Sequence, residues 1–191
     1  MKCLLCESFS LTHICKNCQK TFLSPSLYTR ILPDGTKVFS FYRYEEIKPL
    51  LFTKHTDLGF YIYTILAKNS FQKFAQEFHT KEKYVSLAID DIPKSGYSHT
   101  AILNKALKTY NIKPLYNIIR AQNTISYSGK SKKFREENPR DFYIKKFKHA
   151  ELILVDDIIT TGTTLQQAVQ LLTQGGKNVA FCLTLCDVSL K

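Results

Sequence analysis

The pattern of hydrophobic and polar residues divides the first part of the chain into a hairpin and two helices. Apolar and polar residues alternate on both sides of a Pro-Asp-Gly turn at residues 33–35, which predicts a β-hairpin that ends near Tyr44. Residues 45–53 and 58–78 have apolar positions at helical spacing, and Asp57 is the expected N-cap of the second helix. We therefore expect a hairpin followed by two helices.

After Tyr84 the pattern changes to short apolar runs separated by helical segments. We predict strands at residues 84–89, 114–119, 151–155 and 178–185. Helical spacing in residues 99–110 and 164–174 predicts the connecting helices, and Gly175 and Gly176 end the second one. Strands that alternate with helices form βαβ units, and strands that are nearly all apolar are covered on both faces. The sequence therefore predicts an α/β fold, with a parallel sheet flanked by helices.

Four cysteines near the N-terminus form two Cys-x-x-Cys pairs separated by eight residues, Cys3, Cys6, Cys15 and Cys18. Each pair can present two thiolates to one tetrahedral ion, so together they predict a structural zinc site, with paired redox thiols as the alternative. His13 lies between the pairs, but four thiolates already fill the coordination shell. Because such a site has no open position for catalysis, we expect a zinc knuckle that stabilises the fold.

The chain is strongly basic, with a formal charge of +11 over 191 residues. This excess favours polyanionic partners such as nucleic acid, phosphorylated metabolites or a membrane surface, although a generally lysine-rich proteome gives the same balance. The first ten residues lack the apolar core of a signal peptide, and lysines interrupt the most apolar helical segment, residues 58–74. We expect a cytoplasmic protein without a transmembrane segment, and any association with the inner membrane is expected to be peripheral.

An apolar run at residues 152–155 ends at two adjacent acids, Asp156 and Asp157, and a hydroxyl-rich turn at residues 160–164 follows. In an open parallel sheet, ligands bind outside the carboxyl ends of the strands, where both carboxylates are expected. The turn enters a helix, and the amides and dipole of a helix N-terminus favour an anion such as phosphate. Carboxylates accept hydrogen bonds from vicinal hydroxyls or hold a hydrated cation. Phosphate beside a vicinal diol describes a ribose 5-phosphate.

This stretch resembles the phosphoribosyl pyrophosphate motif of the type I phosphoribosyltransferases, which has four apolar residues, two acids, two apolar residues and Thr-Thr-Gly-Thr-Thr. The resemblance implies that Asp156 and Asp157 bind the ribose 2- and 3-hydroxyls and stabilise an oxocarbenium-like transition state. It also implies that the 5-phosphate is held by the turn, which consists of Thr160, Thr161, Gly162, Thr163 and Thr164. The highly charged substrate is expected to arrive with Mg²⁺.

Two Cys-x-x-Cys pairs placed before such a motif resemble the ComF group of competence proteins, which act in DNA uptake during natural transformation. The resemblance spans nearly the full chain and implies a type I phosphoribosyltransferase-like sheet with an N-terminal zinc knuckle and a β-hairpin. We expect a zinc-binding knuckle at residues 1–25, a hairpin and helix linker at 26–55 and a phosphoribosyltransferase-like domain at 56–191. The sequence does not identify the acceptor of such an enzyme.

A loop after the first predicted parallel strand resembles the family's pyrophosphate loop, which ends in a basic residue, a variable residue, Gly, an aromatic residue and Asn-Gln. Lys94, Ser95 and Gly96 are the pyrophosphate ligands that the resemblance implies, and glycine lets the backbone approach the ligand. Ser98 and His99 stand where Asn-Gln is usual. The pyrophosphate end of the site therefore departs from the family's pattern.

A basic loop at residues 120–140 resembles the family's flexible catalytic loop. Arg135 is the catalytic cation that the resemblance implies, and it would act on the leaving pyrophosphate, with Lys132 or Lys133 as alternatives. The glutamine that is usual in this loop is missing, and Tyr127 lies near its place. A solvated linker is the alternative interpretation of the same basic residues.

Basic residues alternate with aromatic ones in the segment that includes Phe134, Phe142, Tyr143 and Phe147. Cations along a backbone and aromatic faces for bases are typical of sequence-tolerant single-strand binding, so we expect contact with single-stranded DNA. The alternative is that Phe142 and Phe147 are core residues. Further expected partners are a competence helicase or another protein of the uptake machinery, docked by the knuckle, and a second copy in a homodimer.

Three functions are therefore open from the sequence. The first is an Mg²⁺-dependent phosphoribosyltransferase with an unidentified acceptor, acting in DNA uptake. The second is a catalytically silent scaffold that is stabilised by structural zinc and binds single-stranded DNA. The third is a salvage phosphoribosyltransferase for a nucleobase.

Overall fold

The computed structural model of the protein describes residues 1–89, 92–93, 96–123, 134, 137 and 140–190. These residues form one mixed sheet of seven strands with helices against its faces, and the four N-terminal cysteines lie together. The α/β fold class predicted from the sequence, with its N-terminal cysteine cluster and hairpin, is therefore confirmed.

The strands are β1 (Tyr28–Ile31), β2 (Lys37–Arg43), β3 (Tyr84–Ile89), β4 (Ile112–Ala121), β5 (Phe142–Ile144), β6 (Glu151–Ile159) and β7 (Asn178–Asp187). They lie in the order β1-β2-β7-β6-β3-β4-β5. The centre of the sheet, from β2 to β4, is parallel as predicted, whereas β1 and β5 add an antiparallel pair at each edge. The sequence did not predict β5, because three residues are too few to establish an alternating pattern.

The predicted hairpin consists of β1 and β2, and it is part of the main sheet. Gly35 has a φ of 87° in the turn, where Asp34 Oδ1 accepts a hydrogen bond from the Thr36 N–H at 3.0 Å. Strand β2 then pairs in parallel with β7, and the buried hydroxyls of Ser40 and Thr184 lie 2.6 Å apart across this pair. The last pair of these two strands is Arg43 with Asp187, so β2 of the hairpin ends at the edge of the sheet at which the carboxyl ends of the parallel strands meet.

The helices of the described residues are α1 (Lys16–Phe22), α2 (Tyr44–Leu51), α3 (Asp57–Asn69), α4 (Phe71–Glu77), α5 (His99–Ala106) and α6 (Thr163–Gln174). The segment predicted as one helix forms α3 and α4, because the backbone bends at Ser70, with φ −116° and ψ −81°. The N-cap of α3 is Thr56 rather than the predicted Asp57, and its hydroxyl accepts the Gly59 N–H at 3.3 Å. Each of these helices is too short or too polar to cross a bilayer.

Two apolar clusters cover the faces of the sheet. Side chains alternate along β6, so Ile153 and Val155 enter the cluster beneath α2 to α5, whereas Leu152 and Leu154 enter the cluster beneath α6. All four side chains are fully buried. Ile14 from the N-terminal segment is also fully buried in the first cluster, so this segment packs on the main core.

Candidate functional site

The acid pair lies inside β6 rather than after it. The ladder with β7 continues past the acids, since Asp156 pairs with Thr184 and Ile159 pairs with Asp187. Asp157 is buried, with an exposed fraction of 7%, whereas Asp156 is partly exposed. The prediction that the strand ends before the acids was wrong, because the apolar run ends before the hydrogen-bonded ladder does.

Three donors from the helical side surround one oxygen of Asp157. Lys54 Nζ, the Tyr63 hydroxyl and His99 Nε2 each lie 3.3 Å from Asp157 Oδ2. Lys54 lies between α2 and α3, Tyr63 in α3, and His99 at the first position of α5. The acid that the sequence identified is therefore held by side chains from three separate elements.

The surroundings separate the pKa values of the two acids. Burial acts to raise the pKa of Asp157, but Lys54 and His99 outweigh it and hold that pKa at about 2. Partial burial, and after it the charge of Asp157, raises the pKa of Asp156 well above the usual range for aspartate. The charge of Asp157 also raises the pKa of Lys54. Asp157 is thus a permanent anion at neutral pH, and Asp156 gains a proton more readily.

The hydroxyl-rich turn connects β6 to α6 and lies at the same edge of the sheet as the acids. Gly162 is the N-cap of α6 with a φ of 84°, a conformation that side chains rarely adopt. A Cβ at this position would also lie 2.8 Å from Leu32 Cδ2 of the hairpin. The Thr161 and Thr163 hydroxyls lie 2.9 Å apart beside the first turn of α6. Hydroxyls, helix amides and the helix dipole therefore meet here, an arrangement that suits an anion.

Several side chains at the candidate site belong to no sequence motif that could have identified them. Lys54 and Tyr63 lie in segments that match no motif. From the sequence, His99 stands out only because it departs from the family's pattern. Arg30, on β1, donates to the Thr160 carbonyl at 2.7 Å and to the Thr161 carbonyl at 3.2 Å. The contacts of Arg30 and Lys54 join residues more than a hundred positions apart, so only the fold brings them together.

The loop predicted to bind pyrophosphate is described in part. Gly96 has a φ of 84°, and a Cβ there would meet no atom within 4 Å, so the positive φ is what requires glycine. The Tyr97 hydroxyl donates to the Lys54 carbonyl at 2.6 Å, which ties this loop to the segment that holds Asp157. Ser98 is the N-cap of α5 and accepts the Ala101 N–H at 3.1 Å. Lys94 and Ser95 lie outside the described residues.

Of the basic loop at residues 120–140, the structure describes residues 120–123, 134, 137 and 140. The predicted catalytic Arg135, with Lys132, Lys133 and Tyr127, lies outside the described residues. Arg120, in β4, donates to Asn117 Oδ1 at 2.9 Å.

The aromatic residues near β5 have different environments. Phe142 is buried in the apolar cluster beneath α6, and Phe147 packs against that cluster. Lys177 Nζ lies 4.6 Å from the centre of the Phe147 ring. Tyr143 is 51% exposed and is followed by the exposed side chains of Lys145, Lys146 and Lys148. Phe142 and Phe147 therefore belong to the core, as the alternative interpretation of this segment predicted. Tyr143 and the three lysines are exposed to solvent.

The four N-terminal cysteines can hold one metal ion. Their sulfur atoms lie within 4.8 Å of one another, and Cys6 Sγ lies 3.8 Å from Cys15 Sγ. Four thiolates bound tetrahedrally at the usual zinc–sulfur distance lie about 3.8 Å apart, so the spacing fits zinc. Cys3 Sγ accepts the Cys15 N–H at 3.3 Å, and Cys15 Sγ accepts the Cys18 N–H at 3.4 Å. Amide donors of this kind stabilise thiolates and orient them toward a shared centre.

The remaining side chains of this segment attach it to the main fold. The centre of the His13 ring lies 4.7 Å from the centre of the Tyr61 ring of α3. Gln19 Oε1 accepts a hydrogen bond from Asn69 Nδ2 at 3.0 Å. With Ile14 buried in the core, these contacts make the cysteine segment a part of the helical face of the sheet.

No family model matches the sequence, and no curated protein matches it. Among solved structures, the chain is similar to a hypoxanthine phosphoribosyltransferase from Staphylococcus aureus at 18% identity and a TM-score of 0.39. That match covers 65% of this chain and 62% of the other, less than two thirds of that protein. An orotate phosphoribosyltransferase from Aeropyrum pernix is similar at 17% identity, 90% and 80% coverage and a TM-score of 0.40. An adenine phosphoribosyltransferase is similar at 17% identity, 90% and 89% coverage and a TM-score of 0.44.

Proposed function

We propose that the protein binds phosphoribosyl pyrophosphate with Mg²⁺ and transfers the phosphoribosyl group to an acceptor. The observation that carries this proposal is the acid pair of β6 placed at the same sheet edge as the hydroxyl-rich turn that begins α6. Asp156 and Asp157 are the proposed ligands of the ribose hydroxyls. Thr160, Thr161, Gly162, Thr163 and Thr164 are the proposed ligands of the 5-phosphate.

The charges around the acids suit a polyanionic ligand. Two unpaired carboxylates would repel phosphate groups, but Lys54 and His99 compensate the charge of Asp157. The formal charge of +11 for the whole chain adds a favourable long-range potential. Bound with the ligand, Mg²⁺ would supply positive charge to the pyrophosphate oxygens. Asp156 and Asp157 can therefore bind the ribose hydroxyls, while the surrounding positive charges balance the phosphate groups of the same ligand.

In the proposed reaction, the bond between ribose C1 and the pyrophosphate oxygen breaks, and its electron pair leaves with pyrophosphate. A lone pair of the acceptor forms the new bond at C1. Positive charge develops on the ribose during the step, and the acids of β6 stabilise it. The leaving pyrophosphate is proposed to lie against Lys94, Ser95 and Gly96, with Arg135 supplying a further positive charge.

We further propose that the cysteine cluster holds structural zinc and that the protein acts in DNA uptake during natural transformation. The sulfur spacing supports zinc, and the resemblance to the ComF group supports the role. Contact with single-stranded DNA is supported by exposed Tyr143 and the exposed lysines that follow it. The second candidate function is that of a catalytically silent scaffold, which would bind DNA through this segment and carry out no reaction at Asp156 and Asp157.

Calorimetric titration with phosphoribosyl pyrophosphate, with and without Mg²⁺, tests the first proposal. Micromolar binding corresponds to about −8 kcal/mol and is expected only with the metal. Asp156→Asn is the informative variant, because Asp156 is partly exposed and its replacement leaves the charged partners of Asp157 in place.

Asp34→Asn, an equal loss of charge in the hairpin turn, is the control and is expected to bind normally, whereas Asp156→Asn should weaken binding at least about tenfold. A folded, zinc-loaded wild type that does not bind would contradict the proposal and favour the scaffold.

A further inference from the structure

The guanidinium group of Arg30 links three parts of the chain at the turn before α6. Nη1 lies 2.7 Å from the Thr160 carbonyl oxygen, and Nη2 lies 3.2 Å from the Thr161 carbonyl oxygen. Nη1 also lies 3.4 Å from Asp187 Oδ1, at the end of β7. The Asp187 side chain is almost fully buried, and the Arg30 side chain is 29% exposed. One side chain of the hairpin therefore binds two successive carbonyls of the turn.

The direction of these carbonyls determines the direction of the turn's amides. In a trans peptide the C=O and the following N–H point in opposite directions, and the described residues contain no cis peptide. With the carbonyls of Thr160 and Thr161 directed at Arg30, the N–H groups of Thr161 and Gly162 point away from it. Amides in this orientation add to those of the first turn of α6, where an anion is favoured.

The contacts of Arg30 and Asp187 indicate that the main partner of the guanidinium group is the turn rather than Asp187. Asp187 Oδ1 accepts the Ser189 N–H at 2.7 Å and the Ser189 hydroxyl at 2.8 Å, both shorter than its contact with Arg30. The shortest bond of the guanidinium is to the Thr160 carbonyl. Asp187 therefore supplies a counter-charge, while the planar fork of arginine matches the two carbonyls.

We infer that Arg30 is a positioning residue for the 5-phosphate part of the site: it holds the turn with its amides directed at the anion. This inference rests on the proposed function, because it needs a phosphate group at the turn. Leu32, which follows β1 in the same hairpin, has its Cδ2 atom 2.8 Å from where a Cβ on Gly162 would lie. The hairpin is then the support of the phosphate turn, a role that no motif in the sequence indicates.

The test is binding of ribose 5-phosphate to wild type and to Arg30→Met, Arg30→Lys and Lys37→Met, measured by calorimetry. Arg30→Met should raise Kd at least about tenfold, because a partly buried, charge-assisted pair of hydrogen bonds is lost. Arg30→Lys should recover part of the loss, since an ammonium group can bind one carbonyl at a time. Lys37→Met removes an exposed charge from the same hairpin and should leave Kd within about twofold.

A spectroscopic measurement separates positioning from general stability. On addition of ribose 5-phosphate, the amide proton of Gly162 should shift in wild type, and this shift should be lost in Arg30→Met and partly restored in Arg30→Lys. The amide signal of Gly176, at the other end of α6, should be the same in all variants. If Arg30→Met does not fold, a Kd of Arg30→Lys equal to that of wild type overturns the inference.

The possible results distinguish this inference from the proposal on which it rests. A wild type that binds phosphoribosyl pyrophosphate with Mg²⁺ but not ribose 5-phosphate overturns this inference alone, and a wild type that binds neither overturns both. A wild type that binds, together with an Arg30→Met variant of equal affinity and unchanged Gly162 shift, overturns the positioning role alone.

Discussion

At the scale of single residues, Lys54 is the main counter-charge of the buried Asp157, and it gives a first prediction. Lys54→Met should lower the free energy of unfolding at pH 7 by about 1–3 kcal/mol, because it leaves a buried carboxylate with weaker compensation. Lys48→Met is the control, since Lys48 pairs with the exposed Glu45 and should change stability by less than about 0.5 kcal/mol. Chemical denaturation of the three proteins measures both effects.

The same variant has an expected dependence on pH. The folded pKa of Asp157, about 2, is below its ordinary value of about 3.9, so the stability it contributes is present above pH 4. That contribution is lost as the pH falls through 4 toward 2, where the carboxyl group takes up a proton. The difference between wild type and Lys54→Met should therefore shrink over this interval. A difference that persists unchanged at pH 2 would show that Lys54 acts through packing instead.

Gly162 gives a second prediction, because two separate effects exclude a side chain there. Gly162→Ala should destabilise the protein by about 1–2 kcal/mol from its positive φ, with an added cost from the contact with Leu32. Gly35→Ala is a matched control, since Gly35 has a similar φ of 87° and no atom near its missing Cβ. The excess loss in Gly162→Ala, measured by denaturation, isolates the contact with the hairpin. Equal losses would mean that Leu32 moves aside freely.

At the scale of elements, the cysteine segment gives a prediction about metal. Cys6→Ser should lower bound zinc from about one equivalent to near zero, and it should lower the melting temperature, because Ile14 and the cysteines pack on the helical face of the sheet. Cys182→Ala, at a buried position in the other apolar cluster, should change stability without changing the zinc content. Elemental analysis beside thermal unfolding separates the two effects. Full zinc content in Cys6→Ser would contradict four-thiolate binding.

Elements with a strong local pattern were predictable, and their ends were less so. The hairpin follows from its alternating residues and its turn, and the central strands follow from continuous apolar runs. The apolar run of β6 ends at Val155, yet the strand continues to Ile159 because β7 supplies hydrogen-bonding partners. The break at Ser70 was missed because its hydroxyl bonds to the Leu66 carbonyl at 2.7 Å, a contact that periodicity does not report.

At the scale of the whole molecule, the parts of the candidate site that a sequence can predict are those contiguous in the chain. Asp156 and the turn that follows form one motif, as do the paired cysteines. Lys54, Tyr63 and Arg30 reach the site from the helical segment and the hairpin, and long-range pairing of strands and helices puts them there. A single sequence carries no signal for such contacts, so the support of the site emerged only from the fold.

The distribution of charge over the molecule gives the last prediction, which concerns single-stranded DNA. Since Phe142 and Phe147 pack in the core, binding at this segment should depend mainly on the exposed Lys145, Lys146 and Lys148. Replacing the three lysines by glutamine should weaken binding of an oligonucleotide and reduce the slope of log K against log salt by about 2.

Fluorescence anisotropy over a range of salt concentrations measures both quantities. The control replaces three exposed lysines elsewhere, Lys68, Lys73 and Lys81, by glutamine, with the same loss of net charge. A smaller effect in the control would place the DNA beside β5. Equal effects would mean that DNA responds only to the total charge, and binding that is insensitive to salt would contradict the electrostatic account altogether.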